Sequence, residues 1–179
     1  FVGARCNIAY NCLDRHMKTW RKNKVALIWV GENDQERIFT YAELYRQVNR
    51  CANALKKLGL QQGDRVTISL PKIPEQVIAM LACARIGLIH SVVYSGFSAP
   101  ALANRINDAE AKLVITADVG FDRGKTIQLK PVVDEAIKTC PTIDHVVVVR
   151  REVQGPPLSA PKEIDWKEWI EQERPVCEA

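Results

Sequence analysis

The sequence predicts an α/β fold: a partial parallel βαβ sheet with flanking helices, preceded by an N-terminal helix and a short β-hairpin. Three observations carry this expectation. Four short β-branched runs recur at 65–70, 88–94, 112–118 and 145–150, and three of them are apolar enough for burial on both faces, as central parallel strands are. Between them lie helical patterns at 74–86, 98–109 and about 126–138, each opening near a capping residue or a proline at the first helical position. Such alternation means βαβ units wound with right-handed crossovers.

Taken in order, the opening segment places Ile8, Cys12, Leu13, His16 and Trp20 on one stripe, with Asn7 available as a cap, which predicts a helix over 8–21. His16 on that stripe reads as a structural histidine. "VALIWVG" and "RIFTY" flank the polar turn "ENDQE" and predict a hairpin. Thr40 and Glu43 then form a T-x-x-E capping box, and Leu44, Val48, Cys51, Leu55 and Leu58 follow at helical spacing until Gly59 stops the helix. His90 lies inside the apolar run "LIHSVV" and also reads as structural. Past Arg150 the stretch "REVQGPPLSAPKE" has the Gly, Pro and charge content of an exposed connection, and a short amphipathic segment over 166–173 follows it.

Composition bounds the function. With 179 residues, 47% hydrophobic and 26% charged, the chain can bury an ordinary core, and its length suggests one domain. The net charge of +4 is mild. Its cations are scattered except for Arg15, Lys18, Arg21, Lys22 and Lys24, a group that reads as a solvated helix face rather than a nucleic-acid surface. Six cysteines show no metal-ligand spacing and read as reduced, buried thiols of a cytoplasmic protein. No apolar run approaches the roughly 18 residues that a membrane helix needs. The start at Phe1 without methionine, and the end in "ERPVCEA", suggest a piece of something longer.

In open parallel sheets ligands sit outside the carboxyl ends of the strands, which directs attention to the loops after Tyr94, Asp118 and Arg150. In "YSGFS", Gly96 would let a ligand approach the backbone and Ser98 would cap an anion-favouring helix N-terminus. The alternative is an unremarkable turn. In "ITADVGFDRGKTIQL", Gly120, Gly124, Lys125 and Thr126 imitate a phosphate-binding loop but with three residues between the glycines where a P-loop has four. Either it is a decoy, a solvated basic loop, or Arg123 and Lys125 hold a different phosphate. No Ser-His-Asp set, metal cluster or pair of acids can be argued, so the residues alone support an anion or nucleotide site and no reaction.

The stretches "NIAYNCLDRH", "TYAELYRQVNRCANALKKLG", "GDRVTISLPKIPEQVIAMLACARIGLIHSVV" and "GFSAPALANRINDAEAKLVITAD" closely resemble the acetyl-CoA synthetase family of AMP-forming acyl-CoA ligases. The likeness covers nearly the whole chain and weakens after Arg150. It implies a reaction in which acetate attacks the α-phosphate of ATP, giving acetyl-adenylate and pyrophosphate, after which the thiol of coenzyme A displaces AMP. Magnesium (Mg2+) accompanies the ATP. It also implies that the family's ATP loop, carboxylate pocket, ribose-binding acid and C-terminal lysine lie downstream of Ala179. On this resemblance, residues 1–30 are the N-terminal segment and 31–179 the incomplete first part of the AMP-dependent synthetase/ligase domain.

No catalytic or metal-binding residue is then expected here, and the piece alone should be inactive. Its partners would be the small-molecule substrates acetate, ATP and CoA and the remaining part of the same ligase chain, with no nucleic acid and no membrane. The resemblance places the adenosine 3'-phosphate of CoA near the loop Asp122, Arg123, Gly124, Lys125 and the adenine near Tyr94, Ser95 and Gly96. Two departures stand out: Ser95-Gly96 replaces a usual Gly-Gly, and Asp122 stands where the family has a base. Competing readings are a free-standing nucleotide- or CoA-binding module, an inert structural piece, and a propionyl- or other short-chain acyl-CoA ligase.

Overall fold

A computed structural model describes residues 6–32, 34–152, 158 and 162–179. Its centre is a five-stranded parallel sheet of β3 (Arg65–Ser69), β4 (Ile89–Val92), β5 (Leu113–Ala117), β8 (His145–Val149) and β9 (Glu163–Asp165), in the spatial order β4-β3-β5-β8-β9. Period-two side-chain alternation builds a core on each face. Leu113, Ile115 and Ala117 of β5 and Val147 and Val149 of β8 pack under α2 (Tyr41–Lys57), α3 (Pro74–Arg85) and α6 (Trp166–Glu171). Val114, Val146 and Val148 point the other way, under α4 (Ala99–Asp108) and α5 (Lys130–Ile137). The molecule is therefore three layers, helix on sheet on helix.

The strand order fixes where a ligand can enter. From β3 the chain steps outward to β4, then returns through α4 across β3 to β5 and continues in the opposite direction through β8 to β9. The reversal falls between β3 and β5, and the loops leaving their carboxyl ends diverge there. That crevice is the topological switch point at which doubly wound sheets bind ligands.

The first hairpin forms as expected, from β1 (Val25–Val30) and β2 (Glu36–Thr40). It seats itself beside the switch point: the Trp29 indole Nε1–H donates to the Lys72 carbonyl at 2.7 Å, and Arg37 pairs with Glu75 at 2.7 Å. The capping box is complete, with the Thr40 hydroxyl accepting from the Glu43 N–H and the Glu43 carboxylate accepting from the Thr40 N–H. Those bonds hold the Glu43 carboxyl below its ordinary pKa.

Several expectations are corrected. The N-terminal helix does not run to residue 21. A π-helical turn (Tyr10–Asp14) leads into a single turn α1 (Arg15–Met17), after which Thr19 adopts an extended conformation and caps a 3-10 turn (Trp20–Asn23). The cause is that the predicted stripe has little to bury against: Leu13 and Ala9 are buried, whereas Ile8, Cys12 and Trp20 are exposed, and Trp20 lies under the Lys24 ammonium. His16 is structural, packed against the Tyr41 ring at 4.7 Å.

All six cysteines are free, and Cys6 and Cys12 are exposed rather than buried. Burial pushes the Cys83 thiol up to about 12, so it is unreactive at neutral pH. The run 88–94 gives an edge strand among the described residues rather than a central one, with Ile89 and Val92 exposed. At the other edge β9 forms where an exposed connection was expected, paired in parallel with β8 through Val146↔Glu163. The rest of that connection, at 153–157 and 159–161, lies outside the described residues.

Candidate functional site

The largest difference between sequence reading and structure concerns the loop that imitates a P-loop. Residues 126–129 do not begin a helix. Val119–Asp122 (β6) and Lys125–Gln128 (β7) pair antiparallel, with Asp122 opposite Lys125, and α5 starts only at Lys130. The two residues between them, Arg123 and Gly124, have φ of 51° and 73°. That is the signature of a type I′ hairpin turn, whose twist matches the right-handed twist of the strands. A hairpin turn cannot wrap a phosphate as a P-loop does, so that reading is excluded. The hairpin instead lifts Arg123 and Lys125 beyond the carboxyl end of β5, where both are exposed.

Asp118 anchors the root of this hairpin. Although only 6% exposed, its carboxylate accepts three backbone N–H groups, from Val119 at 2.6 Å, Arg151 at 2.9 Å and Glu152 at 3.1 Å. Its carbonyl accepts from the Leu129 and Lys130 N–H groups, which would otherwise be unsatisfied at the start of α5. One residue thereby ties β5, the hairpin, α5 and the exit of β8 together. Arg151 stacks over the Phe121 ring at 4.6 Å and supports the hairpin from the side. Burial pulls the Arg151 guanidinium below its ordinary value, opposed by Asp118 and Glu75.

The second candidate loop leaves β4. Tyr94 is 69% exposed and meets the Phe97 ring edge-on at 5.8 Å, and the Arg105 guanidinium lies 4.5 Å over Phe97. Gly96 makes room for an aromatic side chain rather than for a ligand: a Cβ there would fall 2.5 Å from the Tyr94 ring and push it aside. The space that a ligand was expected to use is filled by the tyrosine, which leaves its outer face open for stacking. Ser98 stands at the N-cap of α4 but makes no side-chain capping bond. Ser95 forms the turn beside Gly96. His90 is half-buried, and burial draws its imidazole below the ordinary value.

The predicted residues thus fall in two groups on the carboxyl side of the sheet, Tyr94, Ser95 and Gly96 after β4 and Asp122, Arg123, Gly124 and Lys125 after β5, with β3 between. Asp122 and Lys125 are directly opposite in the hairpin. Opposite residues of an antiparallel pair share a face, so Asp122 and Lys125 are on the same face of the hairpin. Sequence reading missed Asp118 and Glu32 as site residues. The carboxylate of Glu32 accepts from the Arg123 N–H at 3.0 Å and the Gly124 N–H at 3.1 Å.

The fold is a doubly wound α/β sheet with a cationic hairpin after β5 and an exposed aromatic after β4, both on the carboxyl side where such sheets bind ligands. The family model described as AMP-binding enzyme matches residues 13–178, and the chain belongs to that family. It is 49% identical over 178 residues to the acetyl-coenzyme A synthetase of Methanothrix thermoacetophila, covering 99% of this chain and 27% of that protein. To the acetyl-coenzyme A synthetase of Deinococcus radiodurans it is 50% identical over 182 residues, covering 100% of this chain and 28% of the relative. The acetoacetyl-CoA synthetase from Streptomyces lividans superposes with a TM-score of 0.85 at 30% identity, over 96% of this chain and 26% of that one. The chain spans about a quarter of the length of the relatives it matches.

Proposed function

We propose that the chain is the N-terminal portion of an ATP-dependent acetate–CoA ligase that forms acetyl-CoA through acetyl-adenylate, AMP and pyrophosphate. The observation that carries this is identity of about half, sustained along the whole chain, to acetyl-coenzyme A synthetases. Within the proposal, residues 1–30 are the N-terminal segment and 31–179 the first part of the adenylating domain. Acetate, ATP and CoA are its substrates and the rest of the ligase its structural partner, in the cytoplasm. Among the described residues no helix is long and apolar enough to cross a membrane. Nor do three His, Cys, Asp or Glu side chains converge among them as they would to hold a metal ion.

The contribution of this segment is to bind the nucleotide end of CoA. Lys125 offers a compact charge and Arg123 a planar fork to the 3'-phosphate, and Tyr94 offers an aromatic face to the adenine. The complete ligase should release pyrophosphate on addition of acetate and ATP, with propionate weaker, and the 1–179 segment alone should release none. Release that depends on propionate but not acetate would reject the acetate assignment, and release by the segment alone would reject the division of labour.

The placement of the phosphate has its own test. Asp122 beside Lys125 repels a phosphate held there, by about 1 kcal/mol at close range in water. In the complete ligase, Asp122→Arg should lower the KM for CoA roughly fivefold and leave that for ATP unchanged. The new arginine would share a face with Lys125, a like-charge cost of well under about 1 kcal/mol that the hairpin can absorb. An unchanged or raised KM for CoA would count against this placement.

A further inference from the structure

The type I′ turn at the hairpin tip poses a structural problem that local sequence does not solve. Both central residues of such a turn need positive φ, which asparagine, aspartate and glycine tolerate best, and here the first is Arg123 at φ 51°. The N–H groups of both central residues point away from the ladder and find no partner within the hairpin. They find one in Glu32, contributed from 91 residues earlier in the chain: Oε1 accepts from Arg123 and Oε2 from Gly124. One oxygen per N–H fixes the plane of the carboxylate against the turn.

Glu32 is itself delivered on a rigid support. The β1–β2 hairpin that carries it is pinned to the far side of the switch point by the Trp29 bond to Lys72 and the Arg37 pair with Glu75. The carboxylate rests on the backbone and leaves the cations alone: among the described residues, neither the Arg123 guanidinium nor the Lys125 ammonium takes part in an ion pair. An acid that competed with a bound phosphate would pair with those side chains.

We infer that Glu32 is a positioning residue for the CoA phosphate: by receiving both N–H groups of the turn it holds Arg123 in its left-handed conformation and aims Arg123 and Lys125 at the ligand. This rests on the reading that the hairpin binds the CoA 3'-phosphate, and it adds the N-terminal hairpin to that site. The chemistry recognised is a phosphate monoester on a ribose. Fixing the turn backbone that carries the two cations before binding lowers the ordering cost of binding.

The test compares CoA with dephospho-CoA, which lacks only that phosphate, as substrates of the complete ligase. The readout is the ratio of KM for dephospho-CoA to KM for CoA, which isolates the phosphate contact from thiol chemistry and from overall folding. Glu32→Ala should lower this ratio by about three- to tenfold, the range of one or two exposed charge-assisted hydrogen bonds, while the constants for dephospho-CoA and ATP move much less. Glu32→Gln retains one acceptor oxygen and should lower it less. Lys125→Ala should lower it at least as far as Glu32→Ala. Faster hydrogen exchange at Arg123 and Gly124 in Glu32→Ala, with the rest of the β6–β7 ladder unchanged, provides a reading independent of catalysis.

A ratio that stays at the wild-type value in Glu32→Ala while Lys125→Ala lowers it overturns the inference and leaves the CoA reading standing. A ratio that rises in Glu32→Ala overturns it as well, because the carboxylate would then compete with the phosphate. Equal losses for CoA, dephospho-CoA and ATP would mark a merely structural role and also overturn it. If Lys125→Ala leaves the ratio unchanged, the CoA reading fails and the inference falls with it.

Discussion

Arg85→Ala is expected to lower the unfolding free energy by about 3–5 kcal/mol, the usual result of removing one partner from a buried ion pair. Arg85 closes α3 and is 2% exposed, the largest fully buried side chain among the described residues. Its two terminal nitrogens grip the Asp14 carboxylate at 2.7 and 2.6 Å, and Nε and Nη2 both donate to the Cys177 carbonyl. One guanidinium therefore joins the N-terminal helical segment, α3 and the C-terminal tail. Burial opposes its charge, and Asp14 more than offsets burial, so Arg85 stays above its ordinary pKa. Removing it strands a half-buried carboxylate and a buried carbonyl and leaves a cavity.

For a chain of this size the loss corresponds to roughly 6–20 °C in Tm. Urea unfolding of Arg85→Ala, Asp14→Ala and the double variant measures it. The double variant should be less destabilised than the sum of the singles, because each single leaves the other group unpaired. A loss under about 1 kcal/mol in Arg85→Ala, or strict additivity, would show that the network holds nothing together.

Why some of this could be read from sequence and some could not has a physical answer. The Thr40–Glu43 box and the helix behind it were legible because every determinant lies in one unbroken stretch from Thr40 to Gly59. The central strands β5 and β8 were legible because burial on both faces demands continuous apolar runs. The hairpin β6–β7 was not. Its turn lacks the Asn-Gly or Asp-Gly that announces a type I′ geometry, and the conformation of Arg123 is stabilised by Glu32 from a distant hairpin. Its β7 strand is exposed throughout, so it carries no hydrophobic pattern either. Arg85 posed the same difficulty, since a lone arginine at a helix end reads as solvated until Asp14 and the tail are seen around it.

The candidate site divides along the same line. Arg123 and Lys125 were legible as basic residues of a loop near the carboxyl end of a predicted strand, and Tyr94 came only with the family resemblance. The residues that place them were not, because Asp118 looks like a strand terminus and Glu32 like one more polar residue in a turn. Sequence shows exposed charged groups more readily than the groups that hold them.

Asp118 is where that distinction has the second-largest consequence. Asp118→Ala should cost about 3 kcal/mol, because three backbone N–H groups in a buried setting lose a charged acceptor at once. Asp118→Asn separates acceptor from charge. Oδ1 accepts from Val119 and Arg151 and Oδ2 accepts from Glu152. An asparagine oriented with its oxygen at the first position keeps two of the three bonds and sets an NH2 against the Glu152 N–H. Its cost should therefore be intermediate, about 1–2 kcal/mol, with hydrogen exchange accelerated at Glu152 more than at Val119. In Asp118→Ala exchange should accelerate at all three positions and spread along β6–β7, since the hairpin loses its tie to β8 while Glu32 still holds its tip. Protection unchanged along the hairpin in Asp118→Ala, or equal losses in the two variants, would mean that the strand end rather than this carboxylate fixes the hairpin root.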